Sequence, residues 1–168
     1  MKIEQLMTRE VKTVRPHDHL DQAARLMWEN DCGCLPVVND DGAVVGMITD
    51  RDVCMAAWTQ GRAPAELDVR IAMSAELFTC GPNDGPRRVE RIMQEHQVRR
   101  VPVTDEAGKL VGLVSLNDLA RESQQRPGGG EVAQDGVART LAAVCRPRNE
   151  ALPQRASAPA TQGLAAVG

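Results

Sequence analysis

The chain is poor in aromatic residues and has no excess of basic charge. Its 168 residues include two Trp, one Phe and no Tyr, so it offers few rings on which the bases of a single-stranded nucleic acid could stack. The formal net charge is −3 at pH 7, whereas a phosphate backbone is normally bound by a basic surface. The sequence therefore excludes nucleic acid from the expected partners.

Long apolar segments are absent as well. No apolar run approaches the roughly 18 residues of a membrane-spanning helix, and the opening residues, MKIEQLMTRE, lack the apolar region of a signal peptide. We therefore expect a soluble, cytoplasmic chain with no membrane partner. The five cysteines are expected to be reduced thiols. We interpret Cys32 and Cys34 as small buried apolar residues rather than as a metal or redox pair.

What the sequence does contain is a repeat with a constant offset of 66 positions. An offset held over so much of the chain indicates two copies of one supersecondary unit, which could face each other and form paired clefts. We divide the chain into a first unit at 1–66, a second unit at 67–124 and a C-terminal tail at 125–168. The repeated pairs include Met7 and Met73, Thr13 and Thr79, Pro36 and Pro102, Gly46 and Gly112, and Asp52 and Asp118.

The tail is rich in Pro, Gly and Ala. Such a composition buries too little apolar surface to offset the entropy of ordering, so we expect a flexible tail. Residues 137–145, VARTLAAVC, nevertheless have apolar side chains at helical spacing. Two alternatives are a short docked helix and a transient helix, and we favour the second because an isolated helix of this length is marginal in water.

Each copy is predicted to contain a strand, a helix, two further strands and a final helix, which makes the fold class α+β. Residues 10–14 and 76–80 are predicted as the first strands, and Asp18 and Asp84 as the caps of the helices that follow. Next come two apolar runs separated by a four-residue turn that ends in Gly, a pattern typical of a β-hairpin. These runs are 35–38 and 43–48 in the first copy, and 101–103 and 109–114 in the second.

A Gly-x-x-Thr/Ser-x-x-Asp motif ends each hairpin, in GMITDRD and in GLVSLND. Thr49 and Ser115 are the predicted N-caps of the last helices, and Asp52 and Asp118 share a helical face with those caps. Taken alone, the pattern is a common capping box. In a cleft it would also suit a nucleoside phosphate, because free N–H groups at a helix N-terminus attract anions and a carboxylate can accept from ribose hydroxyls.

This layout resembles the cystathionine-β-synthase (CBS) domain, in tandem from residue 1 to about 124. The resemblance implies two units with pseudo-twofold symmetry, clefts that take AMP, ADP, ATP or S-adenosylmethionine, no required cofactor, and assembly into a homodimer. It also implies a role for each site residue. Asp52 and Asp118 would meet the ribose, Thr49 and Ser115 the ribose and phosphate, Thr13 and Thr79 the base or phosphate, and Val37, Val38, Ile48, Val103 and Val114 the adenine.

The two copies differ in the residues that precede the Pro-containing strand. The second copy has Arg99 and Arg100 where the first has Gly33 and Cys34. Because a guanidinium group is well suited to phosphate, we expect the cleft completed by Asp118 to be the better equipped one.

Two other functional classes are alternatives to a nucleotide sensor. An enzyme is not expected, because Ser115, Asp118 and His96 show no oxyanion loop and no third group that would orient a base. The stronger alternative is a module without a small ligand, which dimerises or regulates an effector protein in trans through apolar helix faces. The sequence does not identify that effector. We expect a regulatory module that binds adenosine nucleotides.

Overall fold

A computed structural model of the chain describes residues 1–125 and 132–147. Within these ranges no helix is both long and apolar enough to cross a membrane. In chain order the elements are α1 (Leu20–Glu29), β1 (Cys34–Val38), β2 (Val44–Thr49), α2 (Asp50–Gln60), α3 (Pro86–His96), β3 (Arg100–Thr104), β4 (Leu110–Ser115), α4 (Leu116–Gln125) and α5 (Gln134–Val144). From here on, the first unit is the body formed around α1, the β1–β2 hairpin and α2, and the second unit is the body formed around α3, the β3–β4 hairpin and α4.

Each unit is built on an antiparallel hairpin. β1 pairs with β2, and β3 pairs with β4 in the equivalent register, with one irregularity near the turn of each hairpin. The first strand predicted for each copy is reduced to a single parallel bridge, from Val14 to Val37 and from Cys80 to Val103. Proline follows two residues after each bridge and cannot donate a ladder hydrogen bond, so the pairing does not extend. The predicted α+β layout is confirmed in this shortened form.

Asp18 and Asp84 do not cap the first helices, contrary to prediction. The N-cap residues of α1 and α3 are His19 and Gly85, and neither makes a capping side-chain hydrogen bond. The Asp18 carboxylate instead accepts from the backbone N–H of Arg15 at 2.7 Å, and Asp84 accepts from the residue three positions before it at 2.8 Å. Both aspartates therefore close the turn that leads into the helix rather than the helix itself.

The two units exchange their leading segments. The N–H of Val69 donates to the carbonyl of Asp18 at 2.8 Å, and the N–H of Ile3 donates to the carbonyl of Asp84 at 2.9 Å. Because these two bonds are related by the 66-residue offset, they show the pseudo-twofold relation directly. The same offset relates the Ser74–Met47 bonds to the Thr8–Leu113 bonds. It also relates the Val44–Gly108 bond to the Leu110–Gly42 bond, and these last two bonds join the hairpins.

Each core is consequently completed by residues from the other copy in the sequence. Leu67 and Val69 are buried in the core of the first unit, together with Leu20, Leu35 and Ile48. In the second unit the corresponding places are taken by the N-terminal segment, through Ile3 and Met7. The sequence boundary at residue 66 therefore divides the repeat but does not separate two spatially independent bodies.

The segment 132–147 is not an extended tail. Val132 is buried in the core of the second unit, and α5 packs against both α3 and α4. Thr140 of α5 is fully buried, and its hydroxyl accepts from Gln94 Nε2 at 2.7 Å. The expectation of a flexible tail is corrected for these residues, since polar contacts and one buried apolar anchor hold a helix too short to persist alone. Residues 126–131 and 148–168 lie outside the described ranges.

Candidate functional site

The end of the first hairpin forms a closed capping box at the N-terminus of α2. The Asp52 Oδ2 atom accepts from the backbone N–H of Thr49 at 2.9 Å and from its hydroxyl at 2.7 Å. In return the N–H of Asp52 donates to Thr49 Oγ1 at 3.2 Å. Both side chains are half-buried. Within the described residues no hydrogen bond or ion pair engages Asp52 Oδ1, so this oxygen is available as an acceptor.

The second unit repeats the box with one difference. Asp118 Oδ2 accepts from the N–H and hydroxyl of Ser115 at 2.7 and 2.6 Å, but Asp118 Oδ1 is held in an ion pair by Arg121 on the next turn of α4. Asp118 is also more deeply placed, at 8% exposed. The first unit has Met55 at the position of Arg121. Arg121 is not among the site residues predicted from the sequence, although an arginine three residues after an aspartate on a helix is a recognisable pairing signal.

Arg100 extends from the second unit toward the first. Its backbone pairs with Ser115 across the β3–β4 hairpin, yet its Nη2 atom lies 3.7 Å from the position that a Cβ would take on Gly33. The Asp50 carboxylate lies 3.2 Å from the same position. The sequence associated Arg100 with the cleft completed by Asp118. In the structure its guanidinium lies beside the N-terminus of α2, because β3 begins where the two units meet. Arg99 is exposed.

Of the two cysteines near this contact, Cys34 is a buried side chain and Cys32 is not fully buried. Cys34 is 4% exposed, and burial raises the pKa of its thiol to about 11, although the neighbouring Arg100 acts in the opposite direction. Cys32 is half-buried, and neither cysteine is in a disulfide. The interpretation of Cys34 as a buried apolar residue is confirmed. A thiol with so high a pKa is neither a good nucleophile nor a good metal ligand.

Most of the valines assigned to adenine are not accessible. Val37, Ile48, Val103 and Val114 are each 0% exposed and belong to the two cores, so their side chains cannot meet a ligand in this conformation. Val38 is half-buried and remains accessible. The first four residues of β1 are all buried, and Val38 is the last residue of the strand, beside the register irregularity between Val37 and Val38. Thr13 and Thr79 are half-buried and each immediately precedes the bridge residue of its unit.

Gly46 and Gly112 are needed for packing between the units. A Cβ on Gly112 would clash with Met7 Sδ and would lie 3.0 Å from the carbonyl of Thr8, and a Cβ on Gly46 would lie 2.9 Å from the carbonyl of Ser74. The exchanged segments therefore fill the space beside both glycines and leave no room for a side chain there.

A catalytic grouping of Ser115, Asp118 and His96 is not assembled. The His96 ring stacks on Phe78, with the ring centroids 3.5 Å apart. Asp118 is bonded to Ser115 and Arg121 instead. The described arrangement offers hydrogen-bond acceptors and a helix N-terminus to a ligand.

Two hairpins, each followed by a capped helix and joined by exchanged segments about a pseudo-twofold axis, define a paired α+β module of the type formed by two CBS domains. The family model for the CBS domain matches residues 3–58 and 66–125. The chain belongs to the CBS-domain family. The fold and the family predicted from the motif are therefore confirmed.

Relatives of similar length support this assignment. The chain is 37% identical over 128 residues to the CBS domain-containing protein YhcV of Bacillus subtilis, which covers 76% of this chain and 89% of that protein. It is 32% identical over 142 residues to Hypoxic response protein 1 of Mycobacterium tuberculosis, covering 84% and 92%.

Two solved structures of this fold contain ligands. A crystal structure of Hypoxic Response Protein I with two coordinated zinc ions matches with a TM-score of 0.66 and 35% identity, over 72% of this chain and 98% of that one. A structure of CBSX2 in complex with AMP matches with a TM-score of 0.63 and 24% identity, over 74% and 96%, a likeness that shows the fold alone. In residues 1–125 and 132–147 of the present chain, no group of three or more His, Cys, Asp or Glu side chains could hold a metal ion.

Proposed function

We propose that the chain is a regulatory module that binds an adenosine nucleotide where the two CBS domains meet. The observation that carries this proposal is the doubled capping box, which places an aspartate carboxylate beside the N-terminus of a helix in each unit. A ribose needs acceptors for its hydroxyl groups, and a phosphate is attracted by the positive end of the helix dipole.

The first unit is the better equipped of the two in this conformation. Asp52 has a carboxylate oxygen without a partner among the described residues, whereas a ribose at Asp118 would have to displace Arg121. The guanidinium of Arg100 lies beside the N-terminus of α2, where a phosphate would gain both the helix dipole and a planar cation. This reverses the preference for the Asp118 cleft that the sequence alone suggested.

The remaining assignments follow from position. Thr49 and Ser115 would contact the ribose and phosphate through their hydroxyls, with Thr13 and Thr79 beside the base or phosphate, and Arg99 is exposed and could add a second cation. Of the apolar residues expected at adenine, only Val38 is available without rearrangement. AMP, ADP, ATP and S-adenosylmethionine share the adenosine part and remain the candidate ligands.

A thermal-shift panel tests the proposal. The full chain is melted with AMP, ADP, ATP, S-adenosylmethionine and, as a base control, GMP. A ligand present at about 100 times its Kd raises the free energy of unfolding by about 2.7 kcal/mol, so at least one adenosine ligand should raise the Tm by several degrees. Asp52→Asn should lose most of this shift, while Asp41→Asn, an exposed acid in the β1–β2 turn, should keep it. The absence of any shift with every adenosine ligand would refute nucleotide binding.

The second candidate function is a module that acts by protein contact alone. It is favoured by one observation, the exposure of Trp28 and Trp58 on the helices of the first unit. In this case the chain would form a homodimer, or regulate an effector protein, without a small ligand. The same panel separates the two functions, because a contact module would show no nucleotide-dependent shift while still associating.

A further inference from the structure

Three side chains of α3 hold α5 along one line, which we call the α3–α5 contact. The contacts recur at the same spacing on both helices, so the two helices run side by side in the same direction. The contact residues are Glu90, Gln94 and Gln97 on α3, which meet Gly136, Thr140 and Ala143 on α5, respectively.

Two of the three positions are hydrogen-bonded by neutral amides. Gln94 Nε2 donates to the Thr140 hydroxyl at 2.7 Å. Gln97 Nε2 donates to the carbonyl of Ala143 at 3.2 Å and to that of Arg146 at 3.1 Å, and so caps the last turn of α5. Because an amide does not titrate, these two positions hold α5 equally well at any pH near neutrality.

The third position is a carboxyl without a partner. Glu90 is buried, its Oε1 atom lies 2.9 Å from the position that a Cβ would take on Gly136, and this atom has no hydrogen-bond partner among the described residues. Burying a charged carboxylate costs far more free energy than burying the neutral acid. The first unit has Ala24 at the equivalent position, so the repeated fold does not itself require a carboxyl there.

The charges around Glu90 offset this cost only in part. Burial raises the pKa of the Glu90 carboxyl, Asp135 of α5 acts in the same direction, and Arg139 of α5 and Arg87 of α3 act against it. The positive end of the α5 dipole also favours the ionised form, but Arg139 is engaged by Asp135. Other charged groups of neighbouring elements are not among those that act on this carboxyl, namely Arg100 of β3 and Asp118, Arg121 and Glu122 of α4.

The structure allows α5 to leave without unfolding the rest of the second unit. α5 packs against α3 and α4 and is not part of either hairpin, and a helix of its length does not persist alone in water. Local opening of such peripheral elements costs less free energy than global unfolding. In the opened chain Glu90 would meet water, as the half-buried state of Ala24 on the uncovered α1 indicates.

We propose that α5 is an acid-tightened strap, whose docking on α3 takes up a proton at Glu90 and which loosens when that carboxyl ionises. Because the docked chain binds this proton more tightly than the opened chain, the extra docking strength is fully present below about pH 4.5. It is lost as the pH rises through the pKa of Glu90 in the docked chain. The proposal does not depend on nucleotide binding, since the Thr49–Asp52 box lies in the first unit and α5 packs on the second.

Amide hydrogen exchange of the full chain tests the strap. Exchange is followed by mass spectrometry from pH 4.5 to about pH 7.5 and corrected for the intrinsic pH dependence of amide exchange. The β3–β4 hairpin in the same sample reports global unfolding. The protection of α5 relative to this hairpin should fall at least about fivefold as the pH rises, in line with the cost of an unsatisfied buried polar group.

Matched variants assign this change to one carboxyl. Glu90→Gln should keep α5 protected to the same degree at every pH, and Glu90→Ala, which copies Ala24, provides a second replacement that cannot ionise. Glu95→Gln removes an exposed carboxyl of the same helix and should retain the fivefold fall. Constant protection in the unmodified chain, an equal fall in α5 and the hairpin, a fall that persists in both folded Glu90 variants, or its loss in Glu95→Gln would each overturn the proposal.

Discussion

At the scale of single residues, the glycine of each motif is fixed by packing against the exchanged segment. Gly112 lies against Met7 and the backbone of Thr8, and no side chain fits between them. Gly81, by contrast, has only the Asp84 carboxylate in ordinary contact, at 3.8 Å from a Cβ position. The two glycines therefore have different structural demands.

Replacing these glycines gives a matched test of the exchange. Gly112→Ala should lower the free energy of unfolding by about 1–3 kcal/mol, the usual cost of overpacking, because part of the neighbouring contact is backbone that cannot rotate away. Gly81→Ala should change stability by less than about 0.5 kcal/mol. Denaturant melts of the two variants measure both values. An equal effect of the two substitutions would argue against the exchanged packing at Gly112.

Glu90 gives stability a pH dependence. It is 9% exposed beneath α5 and its Oε1 atom has no hydrogen-bond partner. Burial raises the pKa of the Glu90 carboxyl above its usual 4.5, and the nearby Arg139 and Arg87 only partly offset this. The folded chain thus binds this proton more tightly than the unfolded chain. The stability that comes from this tighter proton binding is fully present below about pH 4.5. It is lost as the pH rises through the pKa of Glu90 in the folded chain.

Glu90→Gln should accordingly raise the free energy of unfolding near neutral pH, by about 1 kcal/mol, because the amide carries no charge to desolvate. The gain should shrink as the pH is lowered toward 4.5. Thermal melts of both proteins across this range measure it. A difference between the two that does not vary with pH would show that the ionisation of Glu90 is not the cause.

At the scale of elements, the sequence predicted helices and hairpins well and their partners poorly. The hairpins and both capping boxes follow from local signals, namely apolar runs around a Gly turn and a Thr/Ser three residues before Asp. The leading segments could not be placed this way, since nothing in residues 1–8 or 67–74 reveals which unit they join. The sequence also does not show which side of each strand is accessible. For this reason valines that were assigned to a ligand are found in the core.

Helix α5 is the largest element whose stability was underestimated from the sequence. Its composition predicts a marginal helix, and only the tertiary contacts of Thr140, Val132 and the α3–α4 surface fix it. A chain that ends at residue 125 should therefore be less stable than the full chain. The loss should be at least the roughly 1.5–3 kcal/mol associated with burying one Val side chain. Equal melting of the two chains would show that α5 contributes no packing energy.

At the scale of the whole molecule, the two CBS domains depend on each other. Each core holds apolar residues that belong by sequence to the other repeat, Ile3 and Met7 on one side and Leu67 and Val69 on the other. The exchange also brings the guanidinium of Arg100 to the first unit's helix N-terminus. A ligand bound there would touch both domains, which gives a physical route by which nucleotide occupancy could alter their relative position.

The central claim is that an adenosine nucleotide binds through the capping-box aspartates, and calorimetric titration of AMP and ATP tests it most directly. The full chain should bind at least one of them, and binding should be lost in the double variant Asp52→Asn and Asp118→Asn, whose melting confirms that it is folded. Arg100→Ala should weaken AMP or ATP more than adenosine, because only the phosphate contact is removed. Undiminished binding of AMP or ATP by the folded double variant, or no heat of binding to the full chain, would contradict the account.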